Sequence, residues 1–269
     1  MALTPFQRRV CRLIARHRIA GGEQYVAGAA ALNEVVGAPR LSRDIDLFHD
    51  TETALRASWA GDRDLLADAG YDISIVMERP SFVEAIASQD GESVLLQWVR
   101  DSAFRFFPLV THEDFGLTLH PVDLATNKVL ALVGRLEVRD WVDVMTAHDH
   151  IQRLGYLAWS ACGKDPGFNP RSLLEHARRS GRYSAAEVAE LSFSGAAPDA
   201  GTLNRAWHAI LDEAEAIVAA LPADRVGTCV IDRLGALVNL RPGEISAALA
   251  DGDLRFHPGT IRGVLPTVR

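Results

Sequence analysis

Ser42-Arg43-Asp44-Ile45-Asp46-Leu47-Phe48 is the stretch on which the fold turns. In an extended strand successive side chains alternate between faces. Asp44 and Asp46 therefore point the same way, their Cα atoms roughly 6–7 Å apart, while Ile45 and Leu47 point into an opposite, apolar layer. Two carboxylates on one face suit Mg²⁺ or Mn²⁺, hard cations held by oxygen ligands and completed by substrate phosphates. Their spacing also suits two ions clamping the attacking and leaving oxygens of a displacement. A solvated strand face has the same composition, so the flanking segments carry the decision.

Upstream, Tyr25 to Gly28 is a short apolar strand running through Gly28-Ala29 into a small-residue helix. Such a turn presents backbone N–H groups at a helix start, where a phosphate can bind. Before it, residues 4–18 read as an amphipathic helix, with Thr4 as cap and Pro5 in the first turn. Downstream, 51–69 is expected to be helical, and 71–77, 81–88 and 93–100 to be strands. Pro121 opens a helix through about Arg135 that carries Lys128, and Lys128 and Arg135 share a face two turns apart. Lysine occurs only at positions 128 and 164. A second helix begins near Val138. It places Asp140 and Asp143 on one face, where they can orient Lys128 or Arg135, position an attacking group, or form surface ion pairs, the last being the ordinary outcome. From about residue 155 the pattern is helical, with 184–191, 203–220 and 243–250 as segments.

In this order, Gly28-Ala29, Ser42-Arg43-Asp44-Ile45-Asp46, Asn127-Lys128 through Arg135, and Arg139-Asp140-Trp141-Val142-Asp143-Val144 resemble the AbiEii/AbiGii toxin family, the MenT-type nucleotidyltransferases of the DNA polymerase β-like superfamily. The resemblance covers about residues 20–150. It implies an α+β fold: a nucleotidyltransferase-type mixed sheet with helices in 1–150, and a mostly helical domain in 151–269. It implies transfer of NMP from an NTP to an acceptor, with tRNA among the acceptors and an antitoxin protein as partner. Position by position it makes Asp44 and Asp46 metal ligands, puts Ser42, Gly28 and Ala29 at the edge of the nucleotide site, gives Lys128 and Arg135 the triphosphate, and makes Asp140 a site acid. The sequence departs from the pattern twice. Ala29 stands where Gly or Ser is usual, and Gln97 stands where a third carboxylate is expected on a neighbouring strand. Gln97 is therefore expected beside Asp46, within two strand spacings, roughly 10 Å.

Composition narrows the acceptor. The 269 residues are 48% hydrophobic and 23% charged, with a net charge of −7. That is ordinary globular composition, and the charge argues against a chain coated for nucleic acid. Arg8, Arg9, Arg12, Arg16 and Arg18 nevertheless make a local basic patch that could meet an RNA backbone. The negative charge also fits a small cationic acceptor or a protein hydroxyl, and Gln97 with Ala29 also fits a nucleotide- or partner-binding protein with weakened turnover. Three separated cysteines suggest neither a disulfide framework nor a zinc site. No apolar run approaches the roughly 20 residues needed to span a bilayer, and arginines interrupt the start where a signal peptide would be apolar. The expected location is cytoplasmic.

Overall fold

The computed structural model describes residues 3–181 and 183–267, and the backbone alone at 16, 17 and 19–21. The chain packs as two compact units, residues 1–103 with 109–120, and residues 104–108 with 121–269.

In the first unit, α1 (Pro5–Gly21) starts with a capping box. The Thr4 side chain accepts from the Gln7 backbone, and the Gln7 side chain reaches back to the Thr4 N–H. This satisfies two of the donors a helix start leaves unpaired. Then follow β1 (Gln24–Ala27), α2 (Gly28–Val35), β2 (Asp44–His49), α3 (Glu52–Asp68), β3 (Asp72–Arg79), β4 (Phe82–Gln89) and β5 (Glu92–Arg100). The two-residue β6 (Phe104–Arg105) belongs to the second unit, and β7 (Val110–His112) and β8 (Gly116–Thr118) return to the first. The sheet order is β3-β4-β5-β2-β1-β8-β7. The pairs β2/β5 and β1/β8 are parallel, and the others are antiparallel.

Strict alternation separates the two faces of the central strands. Ile45, Leu47, Val83, Ala85, Leu96 and Trp98 are buried. On that side Trp59 of α3 meets Trp98 edge-on at 4.7 Å. Asp62 of α3 is fully buried there and accepts from Gln24 (2.9 Å), Ser58 (3.3 Å) and the Trp98 indole (3.0 Å). An acid in a core must be satisfied in this way. The other side of β2, β4 and β5 is only half-buried and carries the polar residues of interest.

The second unit contains α4 (Pro121–Arg135), α5 (Val138–His150), α6 (Leu154–Lys164), α7 (Pro170–Ala177), α8 (Ala185–Ala189), α9 (Ala200–Ala220), β9 (Cys229–Ile231), α10 (Pro242–Ala250), β10 (Arg255–His257) and β11 (Thr260–Ile261). Tyr156 and Trp159 of α6 pack with Ile217, Leu221, Val230, Val238 and Ile245 as its core. At the start of α4 the Asp123 carboxylate accepts from the Phe106 and Phe107 amides at 2.9 and 3.1 Å and pairs with Lys164 at 2.8 Å.

The expected mixed sheet between residues 24 and 120 and the following helices are both present. The second compact unit takes in α4, which packs with α6 and α7, and α5, which packs with α6. The helical half also holds short antiparallel strands, β9 with β10 and β11 with β6, too brief to show a period in sequence. Among the described residues no helix is long and apolar enough to cross a membrane.

Candidate functional site

Register converts the alternation of β2 into a surface. Reading outward from β2 through β5 to β4, the half-buried face consists of three rows: Asp44–Leu95–Ile86, Asp46–Gln97–Glu84 and Phe48–Val99–Phe82. The middle row is entirely polar. Leu95 and Ile86 flank Gln97 and Glu84 on one side and the Phe48–Val99–Phe82 row lies on the other, while Asp44 stands next to Asp46. Gln97 is the direct cross-strand partner of Asp46, one strand spacing away, as the sequence led us to expect. Ser42 is buried, and its hydroxyl donates to Asp44 Oδ1 at 2.9 Å, which fixes that carboxylate.

Gly28 explains the turn before α2. Its φ is +68°, and a Cβ there would lie 1.8 Å from Asp46 Oδ2. Both the left-handed backbone and the close approach require glycine. The Asp46 carboxylate therefore lies against the start of α2, where the helix dipole favours an anion. No side chain caps α2, whose N-cap is Ala27. Gly28 thus meets the site through its backbone, and Ala29 behind it is buried.

In the second unit Lys128, Arg135, Asp140 and Asp143 come together. Lys128 Nζ lies 3.0 Å from Asp140 Oδ1 and 3.2 Å from Asp143 Oδ2. Arg135 grips Asp140 with Nε at 2.6 Å and Nη2 at 2.9 Å. Both acids are fully buried, and Lys128 is 6% exposed. The surface ion pairs expected of α5 are thus buried ones, because α5 turns this edge toward α4. Burial pushes the Asp140 carboxyl up, but the Arg135 hydrogen bonds and the Lys128 charge outweigh it and hold the group below its ordinary range. An acid so held is a poor proton acceptor and a good anchor. The side chain of the only other lysine, Lys164, is 7% exposed and lies between Asp123 and Asn127.

The N-terminal basic patch is corrected. Arg8 pairs with Glu34 at 2.6 Å and with Asp114. Arg9 pairs with Glu92 at 2.8 Å, and Arg12 with Glu113 at 3.0 Å and Asp114 at 2.5 Å. Arg18 is buried and donates to the Phe115 carbonyl. The Arg16 side chain lies outside the described residues. Acids distant in sequence pair with Arg8, Arg9 and Arg12, and no local pattern announces them.

Glu84 escaped the sequence reading. Its only local signal is a lone acid alternating with buried Val83 and Ala85, and the register alone brings it into the row of Asp46. Among the described residues no group of three or more His, Cys, Asp or Glu side chains is set to hold a metal by itself. Two carboxylates on one face still fit Mg²⁺, which keeps several waters and is completed by phosphates.

No family model and no curated protein matches the chain. Among solved structures it is similar to a Helicobacter pylori protein described provisionally as a nucleotidyltransferase, with TM-score 0.50 and 16% identity over 80% of this chain and 95% of that one. JHP933 from Helicobacter pylori aligns with TM-score 0.48 and 15% identity over 78% and 91% of the two chains. MenT4, a nucleotidyltransferase toxin from Mycobacterium tuberculosis, aligns with TM-score 0.49 and 14% identity over 81% and 83%. At these identities the likeness concerns the fold, and the first of the three carries it: the chain has a mixed α+β fold of the nucleotidyltransferase type.

Proposed function

We propose that this protein is a nucleotidyltransferase that uses Mg²⁺ or Mn²⁺ to move an NMP from an NTP to an acceptor hydroxyl. One observation carries it: Asp44 and Asp46 share the half-buried face of β2, with Asp46 seated against Gly28 at the start of α2. A bound cation supplies charge neutralisation on the phosphates. Asp44, steadied by Ser42, and Asp46, steadied by α2, hold that cation in a fixed place. The first-turn amides of α2, Ala29 among them, favour phosphate oxygens. In the transfer the acceptor oxygen bonds to the α-phosphorus, the bond to the β-phosphate oxygen breaks, pyrophosphate leaves, and the hydroxyl proton passes to water. By resemblance Lys128 and Arg135 serve the triphosphate, and Asp140 fixes the direction of both cations.

Two acceptor classes are separated by experiment. RNA, tRNA in particular, with an antitoxin partner, follows from the resemblance. A small cationic or protein acceptor is favoured by the net charge of −7 and by the ion pairs that occupy Arg8, Arg9 and Arg12. Incubation with each labelled NTP, Mg²⁺, total RNA, protein extract and a panel of amines will show which fraction takes up label. Label absent with Asp46→Asn supports the proposal. Label unchanged with Asp46→Asn, or no label in any fraction, overturns it, the second result favouring a protein that binds nucleotide without turnover.

A further inference from the structure

The middle row of the sheet face contains a contact that the function above does not use. Gln97 Nε2 donates to Glu84 Oε2 at 2.6 Å, across the β4/β5 register. An ionised carboxylate only accepts hydrogen bonds, so the amide nitrogen, and not the oxygen, must face Glu84. The two ends of an amide are otherwise nearly interchangeable. Glu84 therefore fixes the orientation of the side chain. A donor engaged by an anion makes a short, charge-assisted bond, and it polarises the amide so that its carbonyl oxygen becomes a better electron donor. On the register Gln97 stands between Glu84 on one strand and Asp46 on the other.

We infer that Glu84 is a positioning residue that makes the Gln97 carbonyl oxygen the third oxygen donor of the Asp44–Asp46 face. The inference rests on the proposed cation role of those two acids. A neutral side chain then stands where a carboxylate would serve, with its compensating negative charge one hydrogen bond away on β4. Carbonyl oxygens of amides are ordinary ligands for hard cations. Groups that hold a ligand in direction, without touching the ion, typically govern its affinity. The polar row is also accounted for: Glu84 and Gln97 are the only polar members of β4 and β5 between Phe82 and Ile86 and between Leu95 and Val99 on this face.

The test is Mn²⁺ titration of the full chain, with free Mn²⁺ read by electron paramagnetic resonance and folding checked by circular dichroism. Asp46→Asn is expected to abolish tight binding, and Glu84→Gln to weaken it roughly 10-fold. Gln97→Leu is expected to weaken it similarly. Because Glu84 acts through Gln97, adding Glu84→Gln to Gln97→Leu should cost nothing more, the non-additivity of coupled positions. Exchanging the pair, Glu84→Gln with Gln97→Asp, should restore binding, because the new amide donates to the new carboxylate. Glu84→Gln indistinguishable from wild type while Asp46→Asn loses binding would reduce the contact to a sheet-stabilising pair and overturn the inference alone. Additive losses from Glu84 and Gln97 would overturn it too. Wild-type affinity in Asp46→Asn would overturn the cation reading of the face, and the inference with it.

Discussion

The carboxylates of β2 and those of α5 are the same chemical groups used in opposite ways. Asp140 and Asp143 are fully buried and locked to Lys128, with Arg135 closing over Asp140. Asp44 and Asp46 are half-buried, one steadied by a serine hydroxyl and the other seated at a helix start. An acid buried with its cations is committed to that arrangement, because removing either partner strands a charge in low dielectric. An acid on a half-open face retains lone pairs for a ligand. Burial and partners, rather than residue type, separate the anchor from the candidate ligand.

The largest effect should fall on the buried set. Asp140→Ala leaves Lys128 and Arg135 without their shared anion and should cost about 3–5 kcal/mol of stability in urea denaturation. A cost under about 1 kcal/mol, typical of exposed pairs, would erase the contrast. The same set also dates its own acid sensitivity. The Asp140 carboxyl is held below its ordinary value of 3.8, so its contribution is present above that pH and is lost as pH falls through the lower folded value.

His49 sharpens the comparison from the opposite face of β2. Burial drives its pKa from 6.5 down to about 4, the hydrogen bond to the Val99 carbonyl opposing only part of the shift. The folded form resists a proton that the unfolded chain accepts. Stability is therefore whole above pH 6.5 and falls between 6.5 and 4, by about 3 kcal/mol in all. Amide exchange of β2 should report that loss, and His49→Gln should flatten it. An acid profile of β2 unchanged by His49→Gln would break the distinction.

Asp46→Asn should remove transfer by on the order of 100-fold or more while changing stability by less than about 1 kcal/mol, the usual scale for a helix-terminus charge. Loss of folding in this variant would mean that the β2 acid is an anchor like Asp140. The smallest effect is expected at the surface. Arg12→Gln should alter stability by under about 1 kcal/mol and leave labelling of any acceptor intact. Selective loss of RNA labelling would restore a nucleic-acid role to α1.

Local pattern carried much of the fold. Pro121 and Arg135 bound α4 as the sequence indicated, and β3, β4 and β5 lie within two residues of their expected limits. The helices α6 and α7 showed only as a general helical tendency. The apolar run of α6, Leu154 to Cys162, is buried on all sides and shows no polar face by which to phase it.

What the sequence by itself determined is the common face of Asp44 and Asp46 and the common helix face of Lys128 and Arg135. These follow from backbone periods of two and 3.6, which each segment carries within itself. What only the tertiary structure decided is the row Asp46–Gln97–Glu84, the burial of Asp140 and Asp143, and the pairing of Arg8, Arg9 and Arg12 with Glu34, Glu92 and Asp114. Each joins residues from different elements, and strand register and helix facing are set by how whole apolar faces fit together. No short stretch of chain contains that information.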